Sequence, residues 1–435
     1  MLAALSSCAQ CPDPLSAPSI PVDRLHFPTG LAVHPTLPIL FVANSNFDLS
    51  YSNGAVLGAN LQWLYQRLQD GDIPIERIES PFTSAALVPS IGGPLLMSPD
   101  GKHLYHVGRQ DNLLVALDVD ASEDALFLHC GDRTEGLPDC TTGDHVEALA
   151  NDDPFGLAVR PSGNGWQVLV GALRNGGLHF VQHDPGVSGE NRLVAVTRLN
   201  LGNDDRGASL ALLPSVAGMP EYLLASGRVI PGTDPAQGHV RFLSLDEGPT
   251  GVTGRLDLRN EAGAMDVRGV AVSAARERAY AVVKYPASLV EIDMRRDPGG
   301  VPSGRVLRTT QLGKEPSTVA LYEPPSGPNL ILTVSFRDGL LVALDMDTLE
   351  IFDVVRDVGK NPFDIAVDTR NGFAFVSNFN DDTVAVIRLP RGQLENGQLD
   401  LRFGLAARLG LKRDDTQTNP DLPTSLTDLP TLPRF

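Results

Sequence analysis

Apolar residues along this chain fall in short runs of strand length, cut by turns rich in Gly, Pro, Asn and Asp. A run such as Ile39-Leu-Phe-Val-Ala43 carries no 3.6-residue stripe and is bounded by a Pro on one side and Asn on the other. That is the pattern of a buried strand, not of an amphipathic helix. The runs also recur as one unit. Phe27-Pro-Thr-Gly-Leu-Ala-Val-His-Pro, followed by LFVANSNFDLSYSNGAV, reappears as NPFDIAVDTRNGFAFVSNFNDDTVAVIRL at Asn361–Leu389. Between them lie copies beginning at Gly92, Asp153, Arg206, Asp266 and Glu315. Each reads as a strand, a Pro/Gly/Asp turn, a second strand, a polar turn and a third strand. A fourth strand fits between copies, as at Leu349–Val355.

The last apolar residue before the second turn falls at Val42, Val107, Val170, Ala225, Val283, Val334 and Val376. The mean spacing is about 56 residues, beyond the roughly 40–50 of common propeller repeats. Insertions at Gln62–Ile91 and Asp120–Asp152 hold the excess. Four-strand units repeated around an axis make a β-propeller, and seven copies predict an all-β fold of seven four-stranded blades. A β-solenoid would need shorter and more uniform repeats. The organisation expected is a leader and tether over residues 1–19, the propeller over 20–410 and a Pro-rich extended tail over 411–435. Residues 20–26, which directly precede the first repeat, are expected to supply the outermost strand of the last blade; Gln398–Leu409 is the alternative.

The units resemble YVTN-type propeller repeats, whose core is P-x-x-(A/V)-V, then (L/F)-x-V-(A/S)-N, then (T/A)-V-x-V-(I/L)-(D/R). The first copy (FVANSNFDLSYSNGAV) and the last (FVSNFNDDTVAVI) match best, and the fourth has Ser226-Gly227-Arg228 where Asn would stand. The resemblance spans about Ile20 to Gly410. It is specific for fold but not for activity, since such repeats occur in surface lipoproteins, lactonases and binding subunits. There is no Trp-Asp dipeptide, and Trp63 and Trp166 are the only tryptophans, which argues against Trp-rich docking repeats.

Composition sharpens this picture. The 42 Gly and 34 Pro are the punctuation between strands. With 53 acidic and 35 basic side chains the net charge is −18, which argues against a nucleic-acid partner. No apolar stretch is long enough to cross a membrane as a helix. Leu5-Ser6-Ser7-Cys8 resembles a bacterial lipobox, which implies lipidation of Cys8 and an outer-membrane, periplasm-facing or cell-surface location. Only seven residues precede Cys8 and none is basic, so either the signal extends upstream of Met1 or the match is accidental. Cys130 and Cys140, in the polar loop HCGDRTEGLPDC, are expected to form a disulfide, in keeping with an oxidising compartment. A zinc reading would recruit His129 and His145, but nine residues between the thiols is not the usual ligand spacing.

Propellers, as the resemblance implies, bind at the mouth of the central funnel. The loop after each second strand offers Asn44, Arg109, Arg174, Arg228, Lys284, Arg337 and Asn378. The entrances to the first strands add Arg206 and Arg268, opposed by Asp153, Asp204, Asp205, Asp266 and Asp364. Arg at such positions can hold a carboxylate, a phosphate or an acidic sugar through bidentate hydrogen bonds, or pair with neighbouring Asp. Asn44–Ser50 and Asp118–Asp124 carry oxygens at alternating spacing that calcium could use, though neither fits an EF-hand loop. No other cofactor is implied. Nucleophile-elbow, metalloprotease and phosphate-loop motifs are missing, and His34, His103 and His179 read as structural. The expected role is therefore an exported, lipid-anchored, non-enzymatic binding or scaffold propeller. Its partner would be an envelope protein, a glycan or a small anionic ligand, taken at the funnel face and the inserted loops. The alternative is a lactonase-type hydrolase, with His26 activating water and Arg109 or Arg268 holding the substrate carboxylate.

Overall fold

The computed structural model describes residues 17–69, 75–78, 81–150, 152–174, 176–201, 207–216, 218–227, 238–246, 254–258, 266–393 and 399–410. Cys8, the tail from residue 411, and Arg206 and Arg228 lie outside them. Seven antiparallel sheets follow one another along the chain, each begun by a repeat copy. Blade 3 shows the plain form: Pro154–Ser162, Gly165–Ala172, Gly177–His183 and Leu193–Asn200 pair in sequence order. Blades 4, 5 and 6 repeat it, and Ile351–Val355 is the fourth strand of blade 6. The protein is a seven-bladed β-propeller.

The second strand of a blade has neighbours on both faces, which is why its sequence is a continuous apolar run. Ile39–Asn44, His103–Gly108, Leu330–Ser335 and Phe373–Asn378 are buried at every position. Fourth strands of blades 3 and 6, Leu193–Asn200 and Ile351–Val355, are more exposed. The core is accordingly divided into slabs between blades. Phe41, Val56, Leu104 and Leu117 fill the slab between blades 1 and 2. Leu40, Val42, Leu57, Phe375, Val386 and Leu409 fill the seam where the last blade meets the first. Near the axis the blades approach so closely that a Cβ on Gly30 would stand 2.5 Å from the backbone nitrogen of Leu95.

Ring closure differs from the sequence expectation. Gly404–Leu409 pairs antiparallel with Thr383–Arg388 and is the fourth strand of blade 7; residues 20–26 form no strand. The reason is chain length. An outer strand lies about 14 Å from an inner one, three strand spacings away. Four residues bridge that gap between Gln311 and Pro316 and six between Val355 and Pro362, but only Phe27 separates residue 26 from the first strand, Pro28–Val33. Residues 20–26 instead lay Ile20 and Leu25 into the seam core, and Asn44 Nδ2 donates to the carbonyls of Pro21 and Arg24.

Both insertions also work at seams. After the third strand of blade 1, Gly54–Asn60, a helix at Gln62–Gln69 buries Leu64, Tyr65 and Leu68 against blade 7. Tyr65 stacks on Phe373 at 4.8 Å and donates to Asp368 at 2.9 Å. Ile75–Ile78 then adds a parallel fifth strand to Gly404–Leu409, and the chain returns at Ser84–Val88 to complete blade 1. The second insertion sends Leu137–Asp139 back onto Ser84–Val88, and the Cys130–Cys140 disulfide, with Cα atoms 5.4 Å apart, ties its base. With both thiols in that bond, the zinc reading has no thiolates to use.

Three polar contacts finish the 7–1 seam. Phe27 N donates to Asp382 at 2.8 Å, Ser377 Oγ donates to the Thr29 carbonyl at 2.6 Å, and Leu31 N donates to Asp364 Oδ2 at 2.9 Å. Burial pushes the Asp364 carboxyl up to about 6, against the lowering effect of its two backbone donors, Leu31 and Ile365. Its folded-state value lies above the unfolded one, so the folded protein holds the proton more tightly. Stability from this group is present at acid pH and lost as pH rises through about 6. Between about pH 7.5 and about pH 5 the wild type is expected to gain on the order of 1 kcal/mol relative to Asp364→Asn. Urea unfolding of both proteins at the two pH values measures it.

Candidate functional site

The mouth of the ring is built by one backbone device used repeatedly. The residue before the first strand is left-handed in blades 1, 2, 3, 6 and 7: Phe27, Ile91, Asp153, Glu315 and Asn361 have φ between 51° and 58°. Its carbonyl accepts a hydrogen bond from the backbone just past the second strand. The donors are Ser45, Arg109, Leu173, Phe336 and Phe379, at 2.8–3.3 Å, and in blade 5 Lys284 N reaches Asp266 in the same way at 2.8 Å. Left-handed geometry costs energy for side chains such as Phe and Ile, so these turns are held in place by the packing around them. Four of the five are followed by Pro, whose fixed φ starts the strand.

Two residues further on, the chain faces the axis. Phe155 of blade 3 and Phe363 of blade 7 come from blades that are not neighbours, yet their ring centroids are 6.3 Å apart. The two half-buried rings therefore meet across the axis. Phe363 packs against Phe379 at 6.0 Å, and Phe379 against Phe27 and Phe47 at 5.1 and 5.0 Å, in a buried aromatic cluster. Arg109 lies over the Phe155 ring at 5.7 Å.

The cations named from the sequence divide into groups. Arg109 is buried and forms a two-pronged pair with Asp153 of the next blade, Nε to Oδ1 at 2.7 Å and Nη2 to Oδ2 at 3.0 Å. Arg268, Lys284 and Arg337 gather around Asp266 and Glu315. Arg268 is 2.7 Å from Asp266, both almost fully enclosed. Lys284 is 3.3 Å and Arg337 3.8 Å from Glu315, and the Tyr285 hydroxyl donates to the same carboxylate at 3.4 Å. Burial, reinforced by the Arg268 charge, holds the Lys284 ammonium below its usual range. Among the described residues this cluster brings three cations to two carboxylates, with Arg337 and Tyr285 reaching solvent. Arg174 is half-buried beside the group of Asp152, His179 and Arg198, its backbone nitrogen donating to Asp152.

His26 stands at the rim of blade 1 with Nε2 2.9 Å from Asp48 and its ring edge-on to Phe27 and Tyr51. Arg109 pairs with Asp153 and Arg268 with Asp266, and His26 is part of neither pair. Burial would raise Asp48, but hydrogen bonds from His26 and Ser50 bring its carboxyl to about 2. The oxygens offered to calcium serve the protein's own groups. Asn46 Oδ1 accepts from Tyr51 N, Asp48 accepts from Ser50, and Asp118 is held by His103 and Arg192.

Sequence reasoning missed the role of Phe155, Phe363 and Glu315. A signal was there: Phe27-Pro, Asp153-Pro, Glu315-Pro and Asn361-Pro recur at one position of the repeat, and the residue after Pro then has a fixed relation to the axis. The Arg109–Asp153 pair makes a clear prediction. Arg109→Ala is expected to cost about 3 kcal/mol, because it strands a buried carboxylate. Adding Asp153→Asn, which tolerates the left-handed turn, should cost less than the sum of the single changes. A double-mutant cycle of unfolding free energies reads this directly.

No family model matches the chain, and no curated protein matches it. Solved structures do. The chain is similar to the crystal structure of Saccharomyces cerevisiae Sqt1, a β-propeller, with a TM-score of 0.54 and 9% identity, covering 89% of this chain and 88% of that one. At that identity the likeness speaks for the fold alone.

Proposed function

We propose that this chain is a non-enzymatic binding or scaffold propeller that presents its mouth face to a partner protein or glycan with acidic groups. The observation that carries the reading is the contact of Phe155 with Phe363 across the axis. Two half-buried rings form the floor at the centre of this face, which favours a docking surface over a deep pocket that encloses a substrate. Charged side chains around that floor are held in pairs, so the surface is rigid before a partner arrives, which lowers the cost of binding. Exposed Tyr285 and Arg337 give the rim an aromatic and cationic contact point of the kind that dominates interfaces. A small anion taken by the same cluster would use the same side chains.

The setting we infer is the bacterial cell envelope, with YVTN-type repeats carrying the ring and a lipid on Cys8 anchoring it. The lipobox-like Leu5-Ser6-Ser7-Cys8 and the Cys130–Cys140 disulfide support this. The test places a photo-crosslinking residue at position 285 and exposes the full chain to a solubilised envelope fraction. A single protein or glycan adduct is expected, and Arg337→Glu should lower its yield about tenfold, equivalent to about 1.4 kcal/mol of binding free energy. Absence of any adduct at the mouth would remove the reading. Acid release from a panel of small lactones, abolished by His26→Ala, would replace it with a hydrolase.

A further inference from the structure

A second cluster of chemistry-bearing side chains sits at the opposite end of the strands from the mouth, between blades 2 and 3. His103 opens the second strand of blade 2, and Asp118 faces it from the neighbouring strand, Leu113–Ala121. His183 ends the third strand of blade 3. One donor atom from each of the three lies within 4.8 Å of the others. His103 Nδ1 is 2.9 Å from Asp118 Oδ1, and the two imidazole rings stand edge to face at 4.8 Å. The strand from His103 to Gly108 separates this place from the mouth by about 17 Å.

His183 is the informative member. It is fully buried; its Nδ1 is 2.8 Å from the enclosed hydroxyl of Tyr105, and its Nε2 has no hydrogen-bond partner among the described residues. A buried ring nitrogen left unmatched is rare without a reason. If Nδ1–H donates to Tyr105, Nε2 offers a lone pair to the cluster, the arrangement by which a second-sphere group fixes a metal-binding tautomer. Arg192 Nη2 touches both Asp118 oxygens at 2.6 Å and therefore shares the carboxylate with whatever else binds there.

We propose that His103, Asp118 and His183 form a two-histidine, one-carboxylate site for a divalent transition metal, zinc first, that pins blade 2 to blade 3. Imidazole nitrogen and one carboxylate oxygen favour zinc or cobalt over calcium and magnesium, which prefer all-oxygen cages. Three protein ligands leave a fourth tetrahedral position for water.

The full chain, stripped with chelator and dialysed, is titrated with zinc alone and then with cobalt alone. Uptake should saturate at one equivalent, zinc should raise the thermal midpoint, and cobalt should give the visible bands of a four-coordinate site. His103→Ala and His183→Gln should each weaken binding at least about tenfold. His183 is deeply packed, so if its variant fails to fold, His103→Ala decides the matter, with folding confirmed by circular dichroism. No saturable uptake, or uptake unchanged in His103→Ala, would overturn the proposal.

Discussion

The structure depends on one constraint: every blade is a sheet with two apolar faces, and neither face can be left to water. A sheet of that kind has no stable form alone or at the end of a row. It is satisfied only when each blade lies between two others, which requires the row to close. The all-buried second strands and the core divided into slabs between blades both follow from this. Closure brings inner strands together so tightly that Gly30 has no room for a side chain, and the same crowding brings rings from non-neighbouring blades together across the axis.

Charge at the mouth follows from the same geometry. Loops that end the second strand of one blade meet the entrance of the next, so a cation on one and an acid on the other fall within reach, as Arg109 and Asp153 do. Lys284 and Arg337 reach Glu315 in the same crowded ring of turns. An acidic protein thus holds its cations mostly in pairs. What the mouth offers to a partner is determined by the few groups that pairing leaves exposed, Tyr285 and Arg337 among them.

Fold and blade number were legible because strand period and turn composition are local properties repeated seven times, and repetition averages out local ambiguity. The positions of Arg268, Lys284 and Asp266 at the mouth could be read for the same reason, since each sits at a fixed offset within its copy. Closure was not legible: the deciding quantity was the distance from the outside of a blade to its axis, which no run of residues 20–26 displays. The partners of the charged groups were hidden too. Glu315 shares its place before Pro with Asp153 and Asn361, but nothing in the sequence says which cations reach it, and the approach of His103 to His183 links residues from two different copies. Phe155 and Phe363 sit in equivalent places, but only a closed ring reveals that those places face each other.

The parallel strand at Ile75–Ile78, given by blade 1 to blade 7, has a mechanical consequence. In a ring closed by its own N-terminal strand, a pull on that terminus peels the closing ladder bond by bond. Here the closing strand is Gly404–Leu409, clamped on both edges by strands from elsewhere in the chain. A load applied at the N-terminus would reach residues 20–26 first and draw Ile20 and Leu25 from the seam without breaking a single ladder bond. Tension at that end and integrity of the ring are therefore carried by different parts of the molecule.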